Sequence, residues 1–219
     1  MSEGFHPPVE EYLEAIYELE EEGVPVIRAR LAERLGHAAP TVTENVKRLE
    51  EKGYVNATGR AVRMSPQGRR LAESVTRKHR LAERLLTDVI GLEWHKIHAE
   101  AGRWEHVISD DVEEKLQELL GHPSTCPHGN PIPGAPAVKR TMRPLAELDA
   151  GTEVRLERVT ERVEADLPSL LYLDEAGFRP GASAYIKAKA PDGTITVDID
   201  GTTLAVGVAL AGQLFVSAS

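Results

Sequence analysis

The stretch "HPSTCPHGNPIPGAPA", residues 122–137, holds five prolines and two glycines. Proline fixes φ and removes a backbone donor, so no helix or strand runs through it. It divides a chain of 219 residues into two unlike parts. Before it, apolar residues recur at helical spacing; after it they come in short runs of strand length. The expected fold class is mainly α with a β-rich C-terminal domain. The length allows more than one core.

In the first part, "HPPVEEYLEAIYELEEEG" has prolines where a helix starts and Gly23 where it stops. "RARLAERLG" and "APTVTENVKRLEEKG" read as two shorter helices separated by a tight turn. "YVNATGRAVRMS" switches to two strands about Thr58-Gly59-Arg60. Helix, helix, turn, helix and hairpin is the order of a winged helix-turn-helix, expected over residues 1–65. A long helix from Ser65-Pro66 to about Ile90, another over about 94–107 and a third capped by Ser109 or Asp110 follow, giving a helical section over 66–140. "TEVRLERV", "SAYIKAKA", "TITVDID", "TTLAVGVAL" and "QLFVSA" read as strands of a small barrel or sandwich over 141–219, with turns at Asp192-Gly193 and Asp200-Gly201.

Net charge is −9, yet residues 24–80 carry 13 Lys+Arg against 5 Asp+Glu, a balance of +8. A basic segment between acidic ones suits one surface meeting a polyanion. In "APTVTENVKRLEEKGYV" Val42, Val46 and Leu49 share a core-facing side, leaving Thr41, Thr43, Glu44, Lys47 and Arg48 outward. Such a helix can enter a major groove. Lys47, Arg48, Arg60 and Arg63 are phosphate-contact candidates; Pro40 and Thr43 suit a thymine methyl and Glu44 a cytosine amino group. Arg28 and Ala38 complete the candidate DNA-facing set. The rival for these charges is a solvated protein-interaction module.

"HKIHAEAGRWEH", residues 95–106, gathers three histidines and two glutamates around a glycine. At 100° per residue His98, Gly102, Glu105 and His106 share one face. On the preceding helix His79 and Glu83 stand at i and i+4. Imidazole with carboxylate suits a divalent first-row metal. Cys126, the sole cysteine, stands two residues from His128 in the proline-rich loop. It excludes an intrachain disulfide and suits a reducing compartment. With no long uncharged apolar run and no signal peptide, a cytoplasmic protein without membrane association is expected.

"YELEEEG", "PTVTENVKRLE", "RKHRLAERLLTDVIGLEWHKIHAEAGRWEHVISDDVE" and "GNPIPG" together resemble the diphtheria toxin repressor family of iron- and manganese-dependent transcriptional repressors. The resemblance spans nearly all of residues 8–135 and, more loosely, the tail. It implies a winged helix-turn-helix, a helical dimerisation and metal-binding domain, and an SH3-like, FeoA-like small barrel. It also implies a homodimer that binds a metal ion and then a palindromic operator in double-stranded DNA to control metal-ion homeostasis genes. Residue by residue, it implies one site of His79, Glu83 and His98, joined by Cys126 and His128 as in manganese-type members. An acidic residue of the SH3-like domain completes it, with Asp166 preferred and Glu164 next. A second site takes Glu11, Glu105 and His106, with Glu14 beside them. Gly102 departs from the pattern, since relatives carry cysteine or glutamate there, so the first site is expected to be the stronger. Oxygen-rich Glu11 favours Mn(II) over Fe(II), with Co, Ni, Zn or Cd able to substitute in vitro. Trp104, Val107, Val112 and Leu116 are candidates for the dimer contact or for the monomer core. The alternatives are a metalloenzyme with an open site at Glu11, Glu105 and His106, and a docking module with a structural metal.

Overall fold

The computed structural model describes residues 8–136 and 140–218. Helix α1 (Pro8–Glu21) begins on a proline, whose missing N–H costs a first turn nothing. Its apolar stripe of Tyr12, Leu13, Ile16 and Leu19 is buried. α2 (Arg28–Leu35) ends on Gly36 in the left-handed region, and α3 (Ala39–Glu51) opens with Pro40 in its first turn. Strands β1 (Val55–Thr58) and β2 (Ala61–Met64) pair antiparallel, with Thr58 opposite Ala61. Val42, Val46 and Leu49 of α3 meet the α1 stripe, Leu31, Val55 and Val62 in one core. This is the winged helix-turn-helix expected from the sequence.

α4 (Pro66–Arg84) is capped by Ser65, whose hydroxyl accepts from the Gly68 N–H at 3.1 Å. Gly68 is required by proximity: a β-carbon there would stand 2.1 Å from the Tyr54 carbonyl oxygen. The helix then widens into a π turn over Leu85–Ile90 that stops at Gly91. α5 is shorter than expected, Ile97–Trp104, because Trp94–Lys96 forms a tighter 3₁₀ turn before it. Ser109 caps α6 (Asp110–Leu119), accepting from Val112 N–H at 3.3 Å. Of the four dimer-contact candidates, Leu116 packs in the monomer core with Leu81 and Ile132, and Trp104 lies half-buried on the main core. Val107 and Val112 are exposed.

The last third forms one six-stranded antiparallel sheet. Its strands are β3 (Arg143–Pro144), β4 (Glu153–Val159), β5 (Ser183–Lys189), β6 (Ile195–Ile199), β7 (Thr202–Val206) and β8 (Leu214–Ala218), in the order β3-β8-β4-β5-β6-β7. The hairpins at Asp192-Gly193 and Asp200-Gly201 are present, with Asp200 and both glycines at positive φ. Two readings need correction. "TTLAVGVAL" is not one strand: Gly207 ends β7, and a short helix, Val208–Ala211, follows. Between β4 and β5 lie two helices that strand periodicity did not reveal, α7 (Glu161–Glu164) and α8 (Leu167–Glu175).

Ala82, Leu86, Trp94, Ile97 and Ala101 of the middle helices share one apolar cluster with Leu145, Leu156, Phe178 and Ile186 of the sheet region. Proline-rich connection notwithstanding, hydrophobic burial is continuous across it. No helix among the described residues is long and apolar enough to cross a membrane.

Gly68→Ala is expected to destabilise the protein by about 1–3 kcal/mol, the cost of forcing an atom into filled space. A urea midpoint equal to wild type's would show that α4 can move away from Tyr54 freely.

Candidate metal centre and nucleic-acid interface

The donor groups converge because three chain segments are pressed together. α4 supplies His79 and Glu83 one turn apart, α5 supplies His98, and the proline-rich loop supplies Cys126 and His128. That loop is anchored on the end of β4: His128 O accepts from Val159 N–H at 3.0 Å, and Asn130 Nδ2 donates to Val159 O at 2.9 Å. Gly129 allows the contact, since it has φ +89° and a β-carbon would stand 2.0 Å from Glu157 O. Trp94 Nε1 donates to Pro127 O at 3.1 Å from the other side.

Glu83, Cys126, His128 and Glu164 present ligand atoms all within 4.8 Å of one another, and all four are buried. Two further groups on the same criterion overlap them, His79 with Glu83 and His98, and His98 with Glu161 and Glu164. The carboxylate that the C-terminal region brings to this cluster is Glu164, the second choice from sequence, and not Asp166, the first. Asp166 is exposed at the start of α8 and its carboxylate accepts from Ser169. Glu161 was missed altogether. Both glutamates lie on α7 at i and i+3, hence on one face; the signal was present in "ERVE", but four residues are too few for a helical period to stand out.

Electrostatics bind this cluster tightly. Burial pushes Glu83 up, but His128, His79 and His98 hold its carboxyl well below the usual range. Burial pulls His128 down, while Glu164 and Glu83 raise it to about 10. His79 and His98 are likewise lifted despite burial, by Glu105 with Glu83 and by Glu164 with Glu83. Burial and then Glu83 push the Cys126 thiol up. Glu83 Oε2 and His128 Nε2 are buried with no hydrogen-bond partner among the described residues. Glu161 Oε2 and Glu164 Oε2 are in the same state, and unsatisfied buried polar atoms are costly, so four of them inside a nitrogen, sulfur and oxygen donor set fit a divalent cation that would take the imidazole in its neutral form.

The second group is smaller. Glu14, His79 and Glu105 offer ligand atoms within the same limit. His106 Nε2 lies 3.1 Å from Glu105, and its Nδ1 lies 2.7 Å from Glu10, not Glu11. Glu11 joins no such group among the described residues, a second correction: one position along α1 turns a side chain by about 100°. Burial pushes Glu105 up, but His79 and His106 bring it down to about 2, while burial and Glu105 raise Glu14 well above its usual value. His95 serves elsewhere, 2.6 Å from Asp174 of α8. Gly102 answers no packing need, as a β-carbon there would meet nothing within 4 Å.

On the other side of the winged domain, Thr41, Thr43, Glu44, Lys47 and Arg48 are exposed along α3, with Ala38 and Pro40 at its start. Glu44 pairs with Arg48 at 2.6 Å. Arg60 and Arg63 are exposed on the hairpin. Arg28 instead braces that hairpin, donating to Gly59 O at 3.0 Å.

Three family models match the chain: the N-terminal DNA binding domain of the iron dependent repressors over residues 5–61, their metal binding and dimerisation domain over 65–134, and the FeoA domain over 143–218. The iron-dependent repressor IdeR of Mycobacterium tuberculosis is 46% identical over 204 residues, covering 88% of each chain. The diphtheria toxin repressor of Corynebacterium diphtheriae is 45% identical over 202 residues, again 88% of each. Among solved structures, a manganese-dependent transcriptional repressor in complex with manganese superposes with a TM-score of 0.86 at 31% identity, over 96% of this chain and 100% of that one. These relatives are transcriptional repressors and not enzymes, which removes the metalloenzyme alternative.

The two glycines should behave oppositely. Gly102→Ala is expected to stabilise the protein by about 0.5–1 kcal/mol, through lost unfolded-state freedom alone. Gly129→Ala should cost at least about 1–3 kcal/mol through overlap and positive φ. Denaturant midpoints of the two variants, moving in the same direction, would contradict this reading of the loop.

Proposed function

The chain belongs to the iron-dependent repressor family of metal-dependent transcriptional repressors, and from that premise we propose that it is a homodimeric repressor of metal-homeostasis genes, activated by Mn(II) in preference to Fe(II). The observation that carries the proposal is the convergence of Glu83, Cys126, His128 and Glu164 from the middle helices, the loop and α7. With His79 and His98 beside them, these residues would hold the ion. When bound, it supplies positive charge and Lewis-acid coordination to a site crowded with carboxylates. A weaker site at Glu14, Glu105 and His106, with Glu10, is part of the same proposal.

Coupling to DNA rests on this chain's own contacts. Arg80, next to His79, has a fully buried side chain. It bonds Glu21 of α1 at 2.7 and 3.0 Å and Glu161 of α7 at 2.8 Å. It also donates to Pro131 O. The winged domain is thus tied to the side chains that surround the centre. Whatever orders Glu161 and the loop therefore favours one placement of α3, and coupling of this kind is typically about 1–3 kcal/mol. Two recognition helices held at a fixed separation fit a palindromic operator, whose half-sites lie on successive faces of the duplex. Carboxylates favour Mn(II), and the manganese-bound repressor above has a closely similar fold. The thiol of Cys126 pulls toward softer ions, which is why competition between metals is the deciding measurement. A cytoplasmic location follows from the role.

Gel shifts with a metal titrated against a chelator should show operator binding only with metal, Mn(II) acting at lower concentration than Fe(II) under anaerobic conditions. Equal binding with and without metal ends the proposal. Glu164→Gln should weaken metal binding by at least about tenfold, the least that changes around a metal centre usually cost. Asp166→Asn should leave it unaltered; the reverse ranking by calorimetry would restore Asp166. Arg63→Ala should weaken binding to all sequences alike and reduce the salt slope by about 1. A sequence-selective loss would instead place Arg63 on a base.

A further inference from the structure

The proposed metal centre is almost sealed. The side chains of Glu83, His128 and Glu164 have no exposed surface and that of His79 has 7%, whereas His98 has 21%. Cys126 is buried as well. A donor set this enclosed exchanges its ion either by local unfolding or through a defined opening. Two cavities touch it, and they differ in what they present to a cation.

One, of about 650 Å³, reaches Cys126 from the side of α8. Its wall carries Arg84, Arg155 and Arg179 beside Glu93, Glu157 and Asp174, and of the centre's groups it reaches Cys126 alone. Arg84 closes it toward the loop, donating to Thr125 O at 2.7 Å and to Cys126 O at 3.2 Å. Bonded across the loop backbone in this way, Arg84 closes this cavity at Cys126. The other, of about 340 Å³, lies between α5 and the start of α8, and both His98 and Glu164 form part of its wall. It has room for about ten waters, enough for an ion still partly hydrated. Its rim bases are already neutralised, Lys96 by Glu93 at 2.7 Å and Arg103 by Glu100 at 2.5 Å. Ala99 and Leu167, both exposed, narrow its mouth without offering a donor.

We propose that this second cavity is the port through which the centre exchanges its ion with solvent, with His98 as the first ligand met at its inner end. The inference rests on the metal-binding reading above. A port sets how fast an ion enters and leaves and does not set where equilibrium lies, because a constriction raises the barrier equally in both directions.

The experiment is stopped-flow uptake of Mn(II) by the full-length chain, and its release into excess chelator, for wild type, Ala99→Trp, Leu167→Ala and Pro180→Trp. Ala99→Trp should slow uptake and release alike, by about tenfold or more, with equilibrium affinity unchanged, as one modest added barrier does. Leu167→Ala should quicken both. Pro180→Trp, which narrows the arginine-lined cavity, should change neither. Unchanged rates in both port variants, slowing by Pro180→Trp, or an affinity that falls in Ala99→Trp because uptake and release change by different factors would each overturn the port. Failure of wild type to bind Mn(II) would instead overturn the metal-binding reading beneath it.

Discussion

A guanidinium with no contact with water, that of Arg80, sits where the winged domain, the proline-rich loop and the C-terminal region meet. Burying a charge is costly unless it is paired, and here two carboxylates and a backbone carbonyl meet the two terminal nitrogens, while Nε has no hydrogen-bond partner among the described residues. Such an arrangement adds little net stability compared with packed hydrocarbon, but breaking one limb typically costs about 3–5 kcal/mol. Its value is therefore directional: Glu21 and Glu161 have one place to be, and the elements bearing them are placed with them. Both acids hold Arg80 well above its ordinary value, against the pull of burial. The guanidinium itself therefore keeps its charge.

Around this point the molecule concentrates acids to an unusual degree. Glu14, Glu18 and Glu21 line α1 with Glu22 just past its end, and Glu161 and Glu164 line α7. Burial and Glu161 raise Glu18 to about 8 even with Arg34 only 3.0 Å away. Like charges gathered in low dielectric repel one another unless cations intervene. Arg34, Arg80 and the imidazoles supply part of that compensation, and the donor set at Glu83 is where a further cation has most to neutralise. The acids of α1 and α7 thus form an anionic interior junction, while the winged domain's hairpin presents the exposed bases Arg60 and Arg63.

Legibility in the sequence followed the length of the signal. The winged domain was readable because Val42, Val46 and Leu49 recur over a full helix and because Pro40, Gly36 and Gly59 punctuate it at positions with defined backbone roles. His79 and Glu83 were readable as an i, i+4 pair on a long periodic helix. α7 was not, being a single turn inside a region dominated by alternating residues, and with it Glu161 went unseen and Asp166 was preferred to Glu164. Glu10 and Glu11 are chemically the same, so only the packing of α1 against α4 selects between them. Arg80 looked like part of a solvated basic stretch; nothing local distinguishes an arginine that tertiary structure will enclose. Gly68 and Gly129 carried no warning either, since what each must admit, a carbonyl from Tyr54 or from Glu157, is remote in sequence.

The apolar cluster that runs without interruption from the middle helices into the sheet has an energetic implication for ligand response. Where two regions own separate cores, stabilising one leaves the other to melt by itself. Here Trp94, Ile97 and Ala101 lie against the same hydrocarbon as Leu156 and Phe178. Free energy released anywhere near the seam is consequently felt as cooperativity throughout the last two-thirds of the molecule, which turns a local chemical event into a property of the whole fold.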